Sequence, residues 1–170
     1  MNKTDLMPFC STDVKKPTIM QPWTRDGRTY ATDGRIAIRV GCEVAGVTPN
    51  PAAPNCERVF VVPSKAIYVA VPDLKGQDCY ECSATGRVQC TCRECGDDHE
   101  RDCPECDGHG SVFPTGASHV IGKRTLAARY LAMIRALPGA EIAKGGDALD
   151  AAHWRFYDGD GMLMPVRKRD

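Results

Sequence analysis

Cysteine pairs dominate residues 79–110, a stretch that holds seven of the ten cysteines of the chain. Two C-x-x-C pairs bracket it, Cys79 with Cys82 and Cys103 with Cys106. Each pair aims two thiolates at one point, and two pairs complete the tetrahedral four-sulfur shell of a structural zinc site. Glycines follow both pairs, which suits tight turns that point backbone amides at sulfur. The spacing therefore predicts one zinc ion at this outer site.

Three further cysteines and one histidine between the two pairs could form a second, inner zinc site: Cys90, Cys92, Cys95 and His99. Three thiolates and one imidazole are chemically reasonable zinc ligands. The spacing is compressed, however, because only Cys92 and Cys95 form a C-x-x-C pair. One or two zinc ions per chain are therefore both open. Complete ligation by protein side chains leaves no position for a water molecule, which favours a structural over a catalytic metal.

The cysteine-rich stretch is acidic, whereas the whole chain is neutral. Residues 79–110 contain three arginines against eight aspartates and glutamates, and the formal net charge of the chain is +0. An anionic ligand should avoid this stretch. A neutral chain disfavours nucleic-acid binding over the whole surface and leaves a local basic patch open.

The amino-terminal residues and the cysteine content both indicate the cellular compartment of the protein. Lys3 and Asp5 interrupt the first apolar run, which is too short for a secretory signal, and no stretch reaches the apolar length of a membrane span. Without a secretory signal, ten cysteines indicate reduced thiols and metal rather than disulfides. We therefore expect a cytoplasmic protein with no membrane association.

The remaining sequence must supply the body that carries the cysteine-rich stretch. Residues 19–24, 28–32 and 35–40 read as short strands separated by Asp-Gly turns, which predicts a three-stranded meander. Residues 59–62 predict a buried strand, and residues 154–157 with 162–166 predict a terminal hairpin. Residues 64–71 begin with a helix-capping serine and are rich in β-branched residues. The residues alone leave that stretch open between helix and strand.

Residues 125–137 predict the longest helix, because their apolar side chains recur at helical spacing. Three arginines, Arg124, Arg129 and Arg135, occupy the rest of its surface. Such a row could contact the phosphates of DNA, and a solvated helix face is the alternative. No nucleophile motif such as G-x-S-x-G is present, and the histidines form no catalytic pattern. We therefore expect no enzyme.

The cysteine-rich stretch resembles the zinc-binding domain of DnaJ-type cochaperones, which is built from the repeat C-x-x-C-x-G-x-G. Residues 103–110 fit this repeat in full, and residues 79–86 keep both cysteines and one glycine. The resemblance implies that the outer repeats share one zinc, held by Cys79, Cys82, Cys103 and Cys106. A J-domain with its His-Pro-Asp signature is absent from the sequence, so cochaperone activity is not implied.

Three other segments are similar to the bacterial β sliding clamp of replicative DNA polymerase. They are residues 30–37 (YATDGRIA), 59–67 (VFVVPSKAI) and 161–167 (GMLMPVR), in the order found in clamps. The resemblance implies an α+β fold, a DNA-clamp-like antiparallel sheet with two helices, at residues 64–71 and 125–137, interrupted by a small zinc-bound hairpin insert. Residues 1–78 and 111–170 would form the body and residues 79–110 the insert. Only one such domain is present where a clamp protomer has three, so ring formation and self-association stay open.

These observations lead to one functional expectation and one alternative. We expect a non-catalytic zinc-binding interaction protein with a sliding-clamp-like body, an accessory factor in DNA metabolism, encoded by a phage or mobile element. Its acidic zinc hairpin would contact a partner protein, and DNA is a further candidate partner. The alternative is a chaperone-like or inhibitory protein that binds a partner protein through the same hairpin.

Overall fold

The computed structural model describes residues 1–60, 62, 65–91, 96–106 and 110–167. The chain forms two compact units. The first comprises Met1–Pro72 and Ser118–Asp170, and the second comprises Asp73–Ala117. The cysteine-rich stretch lies within the second unit. No helix among the residues described is long and apolar enough to cross a membrane.

Antiparallel strands make up most of the regular structure, so the chain is of the α+β type. Over the ranges that the structure describes, the strands are β1 (Trp23–Arg25), β2 (Arg28–Thr32), β3 (Ile36–Val40), β4 (Tyr68–Ala70), β5 (Gln77–Asp78), β6 (Arg87–Thr91), β7 (Asp98–Asp102), β8 (Ser111–Val112), β9 (Ser118–Ile121), β10 (Arg124–Ala127), β11 (Glu141–Ala143), β12 (Ala152–Phe156) and β13 (Gly159–Leu163). Two α-helices occur among the described residues, α1 (Lys3–Leu6) and α2 (Ala128–Arg135), and Met7–Phe9, Pro17–Ile19 and Glu57–Val59 form 3₁₀ turns.

Seven strands of the first unit form one sheet in the order β1-β2-β3-β13-β12-β11-β4. The predicted meander is present as β1, β2 and β3, although residues 19–22 do not join the first strand. The predicted terminal hairpin is present as β12 and β13, with Tyr157 and Asp158 in its turn. Strand β13 inserts beside β3, with Leu163 opposite Ile36. The carboxyl-terminal strand therefore completes the sheet that the first strands begin.

Residues 65–71 are not helical, which corrects the helix expected from the clamp resemblance. Tyr68, Val69 and Ala70 form β4 and pair with β11, where Val69 lies opposite Ile142. The Lys144 amide extends this ladder by donating to the Ile67 carbonyl at 2.9 Å. β-Branched residues favour strands where a neighbouring strand is present, and β11 supplies that neighbour. The predicted buried strand over residues 59–62 is wrong for its described residues, because Val59 ends the 3₁₀ turn Glu57–Val59 and both Val59 and Val62 are exposed. Residue 61 and the expected capping residue Ser64 lie outside the described residues.

Helix α2 is shorter than the sequence pattern predicts. Its expected first residues instead form β10, in which Thr125 pairs with Val120 and Leu126 with His119 of β9. The helix begins at Ala128 and buries Tyr130, Leu131 and Ile134. The apolar residues of this stretch do recur at helical spacing. Its amino-terminal end is a strand, however, because it pairs with β9.

The second unit is built from two small two-stranded ladders. Strand β5 pairs with β8, and β6 pairs with β7 to form a hairpin. The cysteine pairs follow β5 and β7 along the chain, at residues 79–82 and 103–106. This short regular structure offers little apolar core, so the cysteines form the buried centre of the unit together with Val88 and Val112.

Candidate metal centre

The two cysteine pairs lie in turns that are related to each other in structure as well as in sequence. The Cys79 amide donates to the Gly110 carbonyl at 2.9 Å, and the Cys103 amide donates to the Gly86 carbonyl at 2.8 Å. Each turn is therefore bonded at its first cysteine to the glycine that ends the other turn. This reciprocal pairing places both cysteine pairs on one centre.

The glycines also direct backbone amides at sulfur. The Gly86 amide donates to Cys82 Sγ and the Gly110 amide to Cys106 Sγ, both at 3.2 Å. Both glycines have positive φ, +76° and +71°, a conformation that glycine adopts without the steric cost of a side chain. An N–H donor favours the thiolate, the form of cysteine that binds metal. The amide bonds and the positive φ explain why glycine stands at residues 86 and 110.

The other glycine of that repeat is replaced by Ala84 in the first turn. Ala84 has a φ of +64° and Ser83 a φ of +48°, so two residues with side chains adopt the left-handed conformation there. For residues other than glycine this conformation costs roughly 1–2 kcal/mol. The first turn therefore carries two residues in the left-handed conformation at an energetic cost. Gly108, the equivalent residue of the second turn, lies outside the described residues.

The four sulfur atoms lie close enough together to hold a metal ion. Their Sγ atoms are all within 4.8 Å of one another, and the Cys79–Cys103 and Cys82–Cys106 separations are 3.9 and 3.7 Å. A tetrahedral zinc–thiolate site with bonds of about 2.3 Å has sulfur separations of roughly 3.8 Å, and a disulfide would bring two sulfurs to about 2.05 Å. All four thiols are free, and the donor set fits a metal ion.

Burial and hydrogen bonding set the acidity of these thiols. Burial, together with the neighbouring thiols, raises the pKa of Cys106 to about 12, against the opposing effect of the Gly110 amide. Burial also acts to raise the pKa of Cys82, but the Gly86 amide and the adjacent cysteines outweigh it and lower that pKa to about 7. The lowered pKa of Cys82 favours its thiolate, the form of cysteine that binds metal. All four side chains are at most 6% exposed, as befits a closed structural site.

The inner site is described only in part. Cys90 of β6 lies directly opposite His99 of β7, so these two residues are cross-strand neighbours in the hairpin. Cys90 is half-buried and His99 is exposed. The other two expected ligands, Cys92 and Cys95, lie outside the described residues. The inner site therefore stays a prediction.

The arginine row on the predicted helix requires a correction. Arg124 lies on β10 rather than on α2, is 2% exposed, and donates from Nη1 to the Ala143 carbonyl at 3.0 Å. Burial lowers its pKa, and such a guanidinium cannot reach a phosphate at the surface. Arg129 and Arg135 are exposed on α2, but residues six apart lie about 120° apart around a helix. The three arginines therefore do not form one row.

A polar network that no sequence pattern predicted crosses the sheet of the first unit. Tyr68 donates to His153 Nδ1 at 2.7 Å, and His153 Nε2 lies 3.1 Å from Asp160. Arg39 holds the Asp160 carboxylate with two bonds of 2.9 and 2.8 Å and reaches Glu57 at 2.9 Å. Because Asp160 accepts from His153, the neutral imidazole carries its proton on Nε2 and accepts from Tyr68 at Nδ1.

The groups of this network satisfy one another. Although burial opposes it, bonding to His153 and Arg39 lowers the pKa of Asp160. The residues come from four strands and one turn, separated in sequence by up to 121 positions. No local sequence pattern predicts such pairings. Only the strand register, which places Arg39 opposite Asp160, could have indicated them.

Comparison with known proteins adds no relative: no protein-family model, curated protein or solved structure matches this chain.

Proposed function

We propose that this protein is a non-catalytic zinc-binding interaction protein, in which a structural zinc ion holds the second unit in shape for contact with a partner protein. The observation that carries the proposal is the buried cluster of four thiols, Cys79, Cys82, Cys103 and Cys106, with two amide donors aimed at its sulfurs. A unit with so little apolar core gains its stability from the metal. Four thiolate ligands leave no coordination position for a substrate.

We propose that the hairpin of β6 and β7 is the part of the second unit that contacts the partner protein. Asp97, Asp98 and Glu100 are exposed on it, and Glu81 and Glu105 are exposed on the two cysteine turns. An acidic surface favours a partner that is basic at the contact and speeds its association at low salt. We place a second zinc at Cys90, Cys92, Cys95 and His99 as an extension of the same proposal.

For the first unit we propose a sliding-clamp-like scaffold in cytoplasmic DNA metabolism, of phage or mobile-element origin. Two of the three clamp-like segments support this reading by lying side by side. Ile36 of the first segment pairs with Leu163 of the last, and the Met164 amide donates to the Arg35 carbonyl at 2.8 Å. Direct DNA contact in this proposal falls to exposed basic residues such as Arg129 and Arg135.

Affinity capture from the native host tests the role of the hairpin. The bait is the zinc-loaded protein, compared with Asp98→Lys/Glu100→Lys, which keeps all four outer cysteines, and with Cys103→Ser, which removes one. We expect a protein retained by the wild type and lost with both variants. Equal capture by Cys103→Ser would contradict a role for the zinc unit. Retention of unfolded client proteins in general would instead support the chaperone-like alternative.

A further inference from the structure

Basic residues from three separate segments of the first unit lie around the turn between β2 and β3. They are Lys16, Arg35 and Arg129, and all three are exposed. They lie 19 and 94 residues apart in sequence, so only the fold brings them together. We name them the basic turn cluster.

Hydrogen bonds and close contacts establish this proximity. The Lys16 ammonium lies 3.9 Å from the position that a Cβ on Gly34 would occupy. Arg129 donates to the Tyr130 hydroxyl at 2.7 Å, and that hydroxyl donates to Asp33 of the turn. Arg35 itself directly follows Gly34 in the turn.

The acidic residue at the centre of the cluster is already bonded. Asp33 Oδ1 accepts from the amides of Arg35 and Ile36 at 2.7 and 3.0 Å, and Oδ2 accepts from Tyr130. Within the described ranges, none of the three basic side chains forms an ion pair with a carboxylate. Asp33 keeps its negative charge, so the cluster has three cations against one carboxylate and a net positive charge.

Helix α2 adds to this positive potential. Its first turn carries Arg129, has no acidic residue and has no capping side chain. Free amides at a helix amino terminus attract anions, and a cation there is an unfavourable neighbour unless an anion binds between them. Arginine forks bind phosphate oxygens through paired N–H donors, while lysine supplies a mobile point charge.

We propose that the basic turn cluster binds the sugar-phosphate backbone of DNA without reading its sequence. This inference rests on the DNA-related part of the proposed function and moves the contact from a helix row to a turn. The neutral charge of the whole chain does not oppose it, because at 0.1 M salt charges more than about 10 Å away are largely screened. Duplex DNA carries one negative charge per about 1.7 Å of axis, enough to meet several of these side chains at once.

Fluorescence anisotropy with a labelled 20-bp duplex, titrated with the full zinc-loaded chain between 50 and 200 mM salt, tests the proposal. We expect Lys16→Glu/Arg35→Glu to weaken binding at least about 10-fold and to reduce the salt slope by about 2, since two phosphate contacts are lost. The matched control is Arg58→Glu/Lys144→Glu, which makes the same charge change at exposed residues outside the cluster. It should stay within about 3-fold of the wild type.

The possible results separate this inference from the proposed function. Equal weakening by both double variants would overturn the basic turn cluster as the site and leave DNA association in place. Absence of binding by the wild type at 50 mM salt would overturn the cluster and direct DNA contact together. In neither case would the zinc-dependent contact with a partner protein be affected. Matching thermal unfolding curves would show that both variants are folded.

Discussion

The backbone carbonyl of Gly86 accepts a hydrogen bond from the Cys103 amide at 2.8 Å. This bond joins the end of the first cysteine turn to the beginning of the second, 17 residues further along the chain. Its counterpart from Cys79 to Gly110 closes the same arrangement from the other side. Backbone pairing between the two turns therefore brings the four sulfurs together, in addition to any metal ion that they hold.

Loss of one thiol should unfold the second unit and spare the first. We expect Cys103→Ser to abolish zinc binding at the outer site and to cost the second unit more than about 3 kcal/mol, because the metal supplies its folding free energy. Amide hydrogen exchange resolves the two units separately. Cys42→Ser is the control, since Cys42 is an exposed free thiol of the first unit and should change neither. Protection of β6 and β7 that survives in Cys103→Ser would count against metal-dependent folding.

Gly110 should be far less replaceable than another glycine of the same unit with a similar backbone angle. A Cβ on Gly110 would lie 2.3 Å from the Ala84 carbonyl oxygen, whereas a Cβ on Gly96 would meet nothing within 4 Å, and their φ angles are +71° and +76°. We expect Gly96→Ala to cost about 1 kcal/mol for its backbone angle alone. Gly110→Ala should cost about 2–4 kcal/mol and weaken zinc affinity. Equal effects in unfolding and zinc-competition titrations would show that the packing of the two turns does not matter.

Ala84→Gly should stabilise the second unit. Ala84 has a φ of +64°, and glycine removes a cost of roughly 1–2 kcal/mol while adding about 0.4–1 kcal/mol of unfolded-state entropy. The net gain in the free energy of unfolding is therefore about 0.5 kcal/mol. Ala117→Gly, at a residue of the same unit without a positive φ, should instead lose a similar amount. Hydrogen-exchange protection of β6 reports both changes, and a loss in Ala84→Gly would contradict the assigned backbone strain.

Asp160→Asn should destabilise the first unit in a pH-dependent way. The lowered pKa of Asp160 means that its contribution is fully present above the unfolded-state pKa of about 4 and is lost as the pH falls through the folded-state value. Near pH 7 we expect a loss of about 1–3 kcal/mol, after allowance for partial solvent exposure. Denaturant unfolding at pH 7 and at pH 2.5 measures the difference between the variant and the wild type, which should shrink at the lower pH.

The control for this pH series is Asp158→Asn, a neighbouring and exposed aspartate in the turn between β12 and β13. It should cost less than about 0.5 kcal/mol at either pH. A difference between Asp160→Asn and the wild type that stays constant from pH 7 to pH 2.5 would exclude a charged Asp160 as the source of the stability.

The sequence predicted the parts of the structure that depend on local spacing. The C-x-x-C pairs indicated the cluster at Cys79 and Cys103, and apolar alternation together with Asp-Gly turns indicated β2 and β3. Sequence-based prediction failed where pairing with a distant strand decides the conformation of a segment. Tyr68 lies in a strand because β11 is beside it, and Arg124 is buried because β10 pairs with β9 before the helix begins. The spacing of residues within one segment carries no information about which distant strand will pair with it.

Local patterns also could not predict which distant residues bond one another in the first unit. His153 showed no catalytic or structural pattern in the sequence, yet it bonds Tyr68 and Asp160 in the fold. The helical pattern placed Arg129 in one row with Arg124, but in the fold Arg129 donates to Tyr130, whose hydroxyl donates to Asp33 in the β2–β3 turn. Both relationships depend on the placement of β13 and α2 against the first strands, which only the complete topology provides.

The central claim is that Cys79, Cys82, Cys103 and Cys106 hold one structural zinc ion. Zinc X-ray absorption combined with metal analysis of the Cys90→Ser protein, in which the inner site is disabled, tests it most directly. We expect one zinc per chain with four sulfur neighbours at about 2.3 Å, and release of that zinc in the additional Cys103→Ser variant. A second unit that folds without zinc, or a zinc ion with oxygen or nitrogen neighbours in place of sulfur, would contradict the claim.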